Sequence, residues 1–213
     1  MRWTSALAES FIFCDVTKTA DTDTNQPMAD EDNSPPPALA EATDAIQYFT
    51  LAGQTCEAKV VCCYDADTIR VVLVLAGELR KFNVRLKGID TPEKRSKNEL
   101  ERKAARAAHR ALLRLLLGSE HYDSALGTLA KLTRKAVRAA LGASRRTVTL
   151  KCGEFDKYGR LLAELETHGD DATSAQTALV GGGFAKLYDG GTKSPWTDEE
   201  LTSMFTSPTS ATR

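Results

Sequence analysis

An α+β fold is what this sequence predicts, on three observations. Five short runs rich in β-branched and apolar residues are separated by turn-forming stretches. One long run of helical periodicity lies between the third and fourth of them, and the residues before position 44 are acidic and poor in large apolar side chains. Together these predict a five-stranded OB-type β-barrel with helices packed on it, over residues 44–213, preceded by a disordered acidic tail at 1–43.

The tail reading rests on composition. From Thr17 to Thr43 the chain is mostly Thr, Asp, Asn, Glu and Pro, ending in the run Ser34 to Pro37. Such a stretch buries too little apolar surface to offset its ordering entropy. Charge divides in the same place. Residues 1–50 hold nine acids and two bases, so the overall net charge of −1 leaves +6 on residues 51–213. A basic body behind an acidic tail suits a polyanionic partner. The length of 213 residues allows one domain plus a tail and shows no internal repeat.

The elements follow in order. Thr55–Cys63, Ile69–Leu75 and Leu79–Leu86 read as an antiparallel meander, with turns at Tyr64–Thr68 and Ala76–Glu78. From Asn98 to Leu117 the apolar period becomes helical, through Leu100, Ala104, Ala107, Ala108, Ala111, Leu112 and Leu115, and Gly118 closes it. A second helix is expected over Ser124–Leu141, with Lys131, Arg134, Lys135 and Arg138 on its basic side. Strands at Thr147–Cys152 and Leu161–Glu166 flank a turn at Asp156–Gly159, and a helix near Ser174–Val180 runs into Gly181 to Gly183. Thr197 and Glu200 have capping-box spacing and should start a last short helix.

Five cysteines (Cys14, Cys56, Cys62, Cys63, Cys152) without CxxC spacing read as inert free thiols, which suit a reducing compartment. Cys62 and Cys63 should point to opposite faces of a strand, one of them into the core. Glu9 and Ser10 interrupt any signal-peptide core, and no apolar run approaches a membrane span, so an intracellular, non-membrane protein is expected. His109, His121 and His168 carry no expected catalytic role.

Three separated pieces hold the chemistry: Asp65-Ala-Asp67-Thr68, Arg85 to Glu93 (with Asp90-Thr91-Pro92), and Asp156-Lys157-Tyr158-Gly159-Arg160. Each places charges at a strand end beside a turn. They combine carboxylates that suit a hard, oxygen-seeking cation with guanidinium groups matched to phosphate oxygens. Taken singly, each piece is more often an ordinary turn with surface charge.

The three pieces in this order resemble the staphylococcal nuclease (thermonuclease-like) family, over about residues 55–195. The resemblance implies a calcium-dependent endonuclease that hydrolyses DNA and RNA, cuts between phosphorus and the 5′ oxygen and leaves 3′-phosphates. By the same resemblance Asp67 and Asp90 would bind Ca2+ with the Thr91 carbonyl, and Asp65 would sit in the outer shell. Arg85 and Arg160 would grip the scissile phosphate, and Glu93 would position or deprotonate the attacking water. Lys157 and Tyr158 match positions that contact a terminal phosphate, and Tyr188 matches a nucleotide-stacking tyrosine. Single-stranded DNA or RNA as partner and a monomeric state complete the expectation.

Two features depart from the family. The Ser124–Leu141 stretch looks like an insertion, whose basic side either holds substrate backbone or is simply solvated, the second being the commoner fate of a charged helix face. The acidic tail has no counterpart. The rival function is a non-catalytic nuclease-like domain binding nucleic acid or a protein; such domains lose carboxylates or arginines, whereas Asp67, Asp90, Glu93, Arg85 and Arg160 are all present.

Overall fold

The computed structural model describes residue 39, residues 41–169 and residues 172–206. Most of the acidic segment expected to be disordered, and Cys14 with it, therefore lie outside the described residues. Two compact units divide between Gln47 and Tyr48, and the elements described here belong to the second.

Three strands, β1 (Thr55–Cys63), β2 (Thr68–Leu75) and β3 (Glu78–Leu86), form the expected meander. Ala76 (φ 49) and Gly77 (φ 80) make the β2–β3 link with both residues left-handed, the turn whose twist matches flanking strands. A two-residue strand, β4 (Ile89–Asp90), follows at once. Beyond the helices come β5 (Val148–Phe155) and β6 (Leu161–Thr167). The barrel closes in the order β1-β2-β3-β6-β5, with β3 and β6 parallel and the other pairs antiparallel. That is the OB arrangement: a meander closed by one parallel contact.

The alternation of each strand fills the interior. Ile69, Val71 and Leu73 of β2, Val84 and Leu86 of β3, and Leu161, Ala163 and Leu165 of β6 are all essentially inaccessible to solvent. Cys62 and Cys63 do face opposite ways, yet both are buried. A bulge between Val60 and Cys62 shifts the phase of β1, so Cys63 joins the barrel core. Cys62 is covered from outside, in reach of Arg138 on the inserted helix. Cys56, Cys62, Cys63 and Cys152 are free thiols.

The long helix α1 (Glu99–Leu117) starts at Asn98, whose side chain accepts from the Leu100 amide, and ends at Gly118. Its buried stripe runs through Ala104, Ala105, Ala108, Leu112, Leu113, Leu116 and Leu117, a broader face than the period alone marks. Leu113, Leu116 and Leu117 broaden it by joining the barrel core, while Ala104 packs with Leu201 and Met204 of the last helix. The continuous helix expected over Ser124–Leu141 is broken. A short α2 (Ser119–Tyr122) runs into a wide turn at Asp123–Gly127, and α3 begins afresh at Arg134–Ala143. The Thr133 side chain caps that restart by accepting from the Ala136 amide. Helix α4 (Ala175–Gly181) precedes β7 (Lys186–Leu187), which pairs with β4. Helix α5 (Asp198–Thr206) opens on the expected capping box: Thr197 N donates to Glu200 Oε2, and Glu200 N to Thr197 Oγ1. Among the described residues no helix is long and apolar enough to cross a membrane.

Candidate active site

The β1–β2 turn is tight because the Tyr64 amide donates to the Thr68 carbonyl at 2.9 Å. This turns Asp67 inward until only 4% of it is exposed. A carboxylate so placed needs partners, and Asp67 has three. Oδ1 accepts from Thr68 Oγ1 at 2.9 Å; Oδ2 accepts from Thr91 Oγ1 at 2.9 Å and pairs with Arg85 Nη1. Arg85 stands opposite Thr68 in the β2–β3 register. Its Nη2 donates to the Ile89 carbonyl at 3.2 Å and lies 3.6 Å from Asp90 Oδ1.

Asp90 reaches the same place from β4, whose pairing with β7 sets Asp90 opposite Lys186. Gly88, at φ 82, makes the reversal from β3 into β4, and its carbonyl accepts from the Tyr188 amide. Asp90 is 6% exposed, and its Oδ1 is a buried oxygen without a hydrogen-bond donor. The nearest cation, Lys193 Nζ at 2.7 Å, forms an ion pair whose angles fall outside hydrogen-bonding geometry; it also lies 3.4 Å from Glu93 Oε1. Burial alone would lower the Lys193 ammonium, but Asp90 and then Glu93 outweigh it and hold it above its ordinary value. Asp65 sits at the mouth of the turn, its Oδ1 3.4 Å from the Asp67 amide. Burial, followed by the Asp67 charge, pushes its carboxyl up to about 6.

Every polar atom offered here by Asp65, Asp67, Asp90 and Thr91 is a hard oxygen, and Asp90 Oδ1 is held by ion pairs alone. That donor set fits a divalent cation of the calcium kind completed by water. Among the described residues no group of three or more His, Cys, Asp or Glu is placed to hold a metal ion. Arg85 and Lys193 balance the two buried charges instead.

Glu93 is solvent-exposed, and its amide donates to Glu101 Oε1 at 3.1 Å, which ties the segment to the first turn of α1. Arg160 closes the β5–β6 turn. Its Nε and Nη2 both lie 2.7 Å from Asp156 Oδ2, while Asp156 Oδ1 accepts from the Tyr158 and Arg160 amides. Burial would raise the Asp156 carboxyl; these bonds, led by the Arg160 amide, outweigh it and lower it. Leu162 stands opposite Arg85 in the parallel register, and Arg160 precedes β6 in the turn, where it is bound to Asp156. The Tyr158 ring is 71% exposed between Lys157 Nζ (5.2 Å from its centroid) and the Arg160 guanidinium (5.5 Å). Tyr188 is half-buried and its hydroxyl donates to the Gly191 carbonyl. It lines a cavity of about 580 Å³ with Gly88, Asp90, Leu187 and Thr192.

The turn after β1, the end of β3 and β4 thus bring Asp67, Arg85, Asp90 and Thr91 together with Lys193 beside them, while Arg160 is bound to Asp156 in the β5–β6 turn. The staphylococcal nuclease homologue family model matches residues 83–207, more than half of the chain. The chain belongs to the staphylococcal nuclease homologue family. The match begins at Asn83, on β3, so it contains Arg85, Asp90, Thr91, Glu93, Lys157, Tyr158, Arg160 and Tyr188, whereas Asp65 and Asp67 lie ahead of it. Comparison with curated proteins gives no match.

This family member also uses residues that its motifs did not announce. Lys193 comes from an irregular segment with no period to read. Lys94 Nζ donates to the Tyr64 carbonyl and lies 3.1 Å from His109 Nδ1, while His109 Nε2 lies 3.2 Å from the Cys63 carbonyl. Both groups tie α1 to the turn that carries Asp65 and Asp67. A buried His at a helical position was the only available signal, and it reads as core.

Proposed function

We propose that this domain is a calcium-dependent phosphodiesterase that hydrolyses DNA and RNA, with single strands preferred and 3′-phosphates left on the product. The observation that carries the reading is the Asp67–Arg85–Asp90 cluster, in which two buried carboxylates share one guanidinium and Asp90 Oδ1 is held by ion pairs alone. Asp67 and Asp90, with the Thr91 carbonyl and with Asp65 behind them, would hold calcium, which supplies positive charge against the phosphate. Arg85, fixed through Asp67 and the Ile89 carbonyl, keeps donors for phosphate oxygens. Arg160, fixed by Asp156, offers a second fork from the β5–β6 turn. These cations stabilise the extra negative charge as the attacking oxygen bonds to phosphorus and the bond to the 5′ oxygen breaks. Glu93 is exposed enough to hold a water and accept its proton. Lys157 and the Tyr158 face would receive a terminal phosphate, and Tyr188 a base.

The test is a gel assay of single-stranded DNA and RNA with calcium, magnesium or EDTA. Cleavage of both polymers in calcium is expected, and little in magnesium, which demands tighter octahedral geometry. Undiminished cleavage in excess chelator would remove the metal assignment. Binding of both polymers without cleavage in any metal would favour a non-catalytic domain.

A further inference from the structure

The inserted helix α3 stands on β1 through Val137, Ala140 and Leu141, which are buried. This apolar footing fixes where its basic side points. Arg134 and Arg138, one turn apart and both exposed, stand at the β1–β2 turn. The Arg134 guanidinium lies 5.8 Å from the centre of the Tyr64 ring, and Arg138 reaches the Cys62 thiol and the Tyr64 hydroxyl. From the other side, Arg70 donates to the Tyr64 hydroxyl at 2.7 Å and stands 5.4 Å from the ring centre. Tyr64 immediately precedes Asp65, and its carbonyl accepts from Lys94, the neighbour of Glu93.

Intramolecular structure does not explain this placement. The first turn of α3 contains no acid. Among the described residues the nearby pair joins Arg114 to Asp123, leaving Lys131, Arg134, Lys135 and Arg138 without a carboxylate. Cations in a first helical turn oppose the helix dipole, and two of them four residues apart repel; each effect costs a few tenths of a kcal/mol. A half-buried aromatic ring among three guanidinium groups is chemistry suited to a polymer with both phosphates and flat bases.

We propose that Arg134, Arg138, Arg70 and Tyr64 form a tract that binds the backbone of single-stranded nucleic acid beyond the scissile phosphate. This rests on the nuclease reading and extends it: the insertion lengthens the substrate contact. An acidic protein would find the cations but would not need the ring beside them.

The experiment measures fluorescence-anisotropy binding of oligothymidylate of about 16 nucleotides, the upper range for one OB fold, to the full chain in EDTA, across a salt series. The native protein is compared with Arg134→Ala/Arg138→Ala and, separately, Tyr64→Leu, with circular dichroism confirming the fold. Losing two phosphate contacts should lower the salt slope of log K by about 1.4 for a single strand. In calcium the double variant should raise KM for that oligonucleotide, leave kcat unchanged and leave a dinucleotide substrate unaffected. Tyr64→Leu should weaken binding with the slope unchanged. A native slope and KM in the double variant overturn the tract while the nuclease reading stands. Absence of oligothymidylate binding by the native protein in EDTA overturns the tract, and the nuclease reading then stands or falls on cleavage in calcium. Displacement by polyglutamate as effective as by unlabelled oligothymidylate overturns the tract in favour of an acidic protein ligand.

Discussion

Arg85 is held at three points: Asp67, the Ile89 carbonyl and, more loosely, Asp90. A guanidinium so fixed needs no reorganisation when a phosphate gains charge, so Arg85→Ala should lower turnover roughly 10²–10³-fold. Arg85→Lys should not rescue, because an ammonium cannot span two oxygens as a planar fork does. Removing Arg85 also leaves a 4%-exposed carboxylate short of its cation, a loss of about 3–5 kcal/mol for a buried pair. Stability therefore has to be measured beside activity. Arg160→Ala separates the two effects, since its side chain is 31% exposed and its partner Asp156 keeps two amide donors. A comparable fall in turnover with little loss of stability is expected from steady-state kinetics and urea unfolding. Near-normal turnover in folded Arg85→Ala and Arg160→Ala would remove the phosphate clamp.

Between elements, His109 couples α1 to the end of β1. Nδ1 faces Lys94, Nε2 faces the Cys63 carbonyl, and Arg110 adds positive charge from the same helix. Burial first, then Lys94, lowers the imidazole to about 3 from its ordinary 6.5. The neutral ring is therefore the folded form, and the unfolded chain takes up the proton first. Sign follows from that: the contribution is intact above pH 6.5 and is lost as pH falls towards 3, at about 1.4 kcal/mol per pH unit within the window. His109→Gln keeps a donor for the Cys63 carbonyl and cannot titrate. Denaturant unfolding at pH 7, 5 and 4 should show native stability falling more steeply than that of the variant. Parallel curves would mean that His109 is not buried neutral. The same element scale shows where periodicity misled. The basic run around Arg134 reads as the middle of one helix, whereas Gly127 and the Thr133 cap divide it and put Arg134 in a first turn.

For the whole molecule, the division of charge and the division of structure nearly coincide. Residues 41–50 are exposed throughout, and the buried core begins at Leu51. Deleting residues 1–43 should therefore leave cooperative unfolding intact in calorimetry. It should also speed substrate association at low salt, because the deleted stretch carries eight acids against two bases and their long-range repulsion is screened within about 10 Å at 0.1 M salt. Loss of cooperativity would move the domain boundary into the deleted stretch.

Barrel and motifs were legible because both are local. A strand announces itself by alternation over a few residues, and Asp65–Thr68 and Asp156–Arg160 are short turns whose side-chain and backbone partners lie partly within the turn, as Asp156 and Arg160 show. Residue order alone therefore determined the five strands, the capping box at Thr197 and the family to which the chain belongs. Tertiary structure decided how these pieces meet. The β2–β3 pairing brings Arg85 to Asp67, and the two-residue β4–β7 pairing sets the buried Asp90 opposite Lys186. Lys193 meets Glu93 across 100 positions of sequence, and α3 comes to stand over Tyr64. The physical reason is common to all four: each is an electrostatic or packing contact between distant segments, fixed by barrel closure and by the footing of a helix, for which neighbouring residues carry no period or spacing.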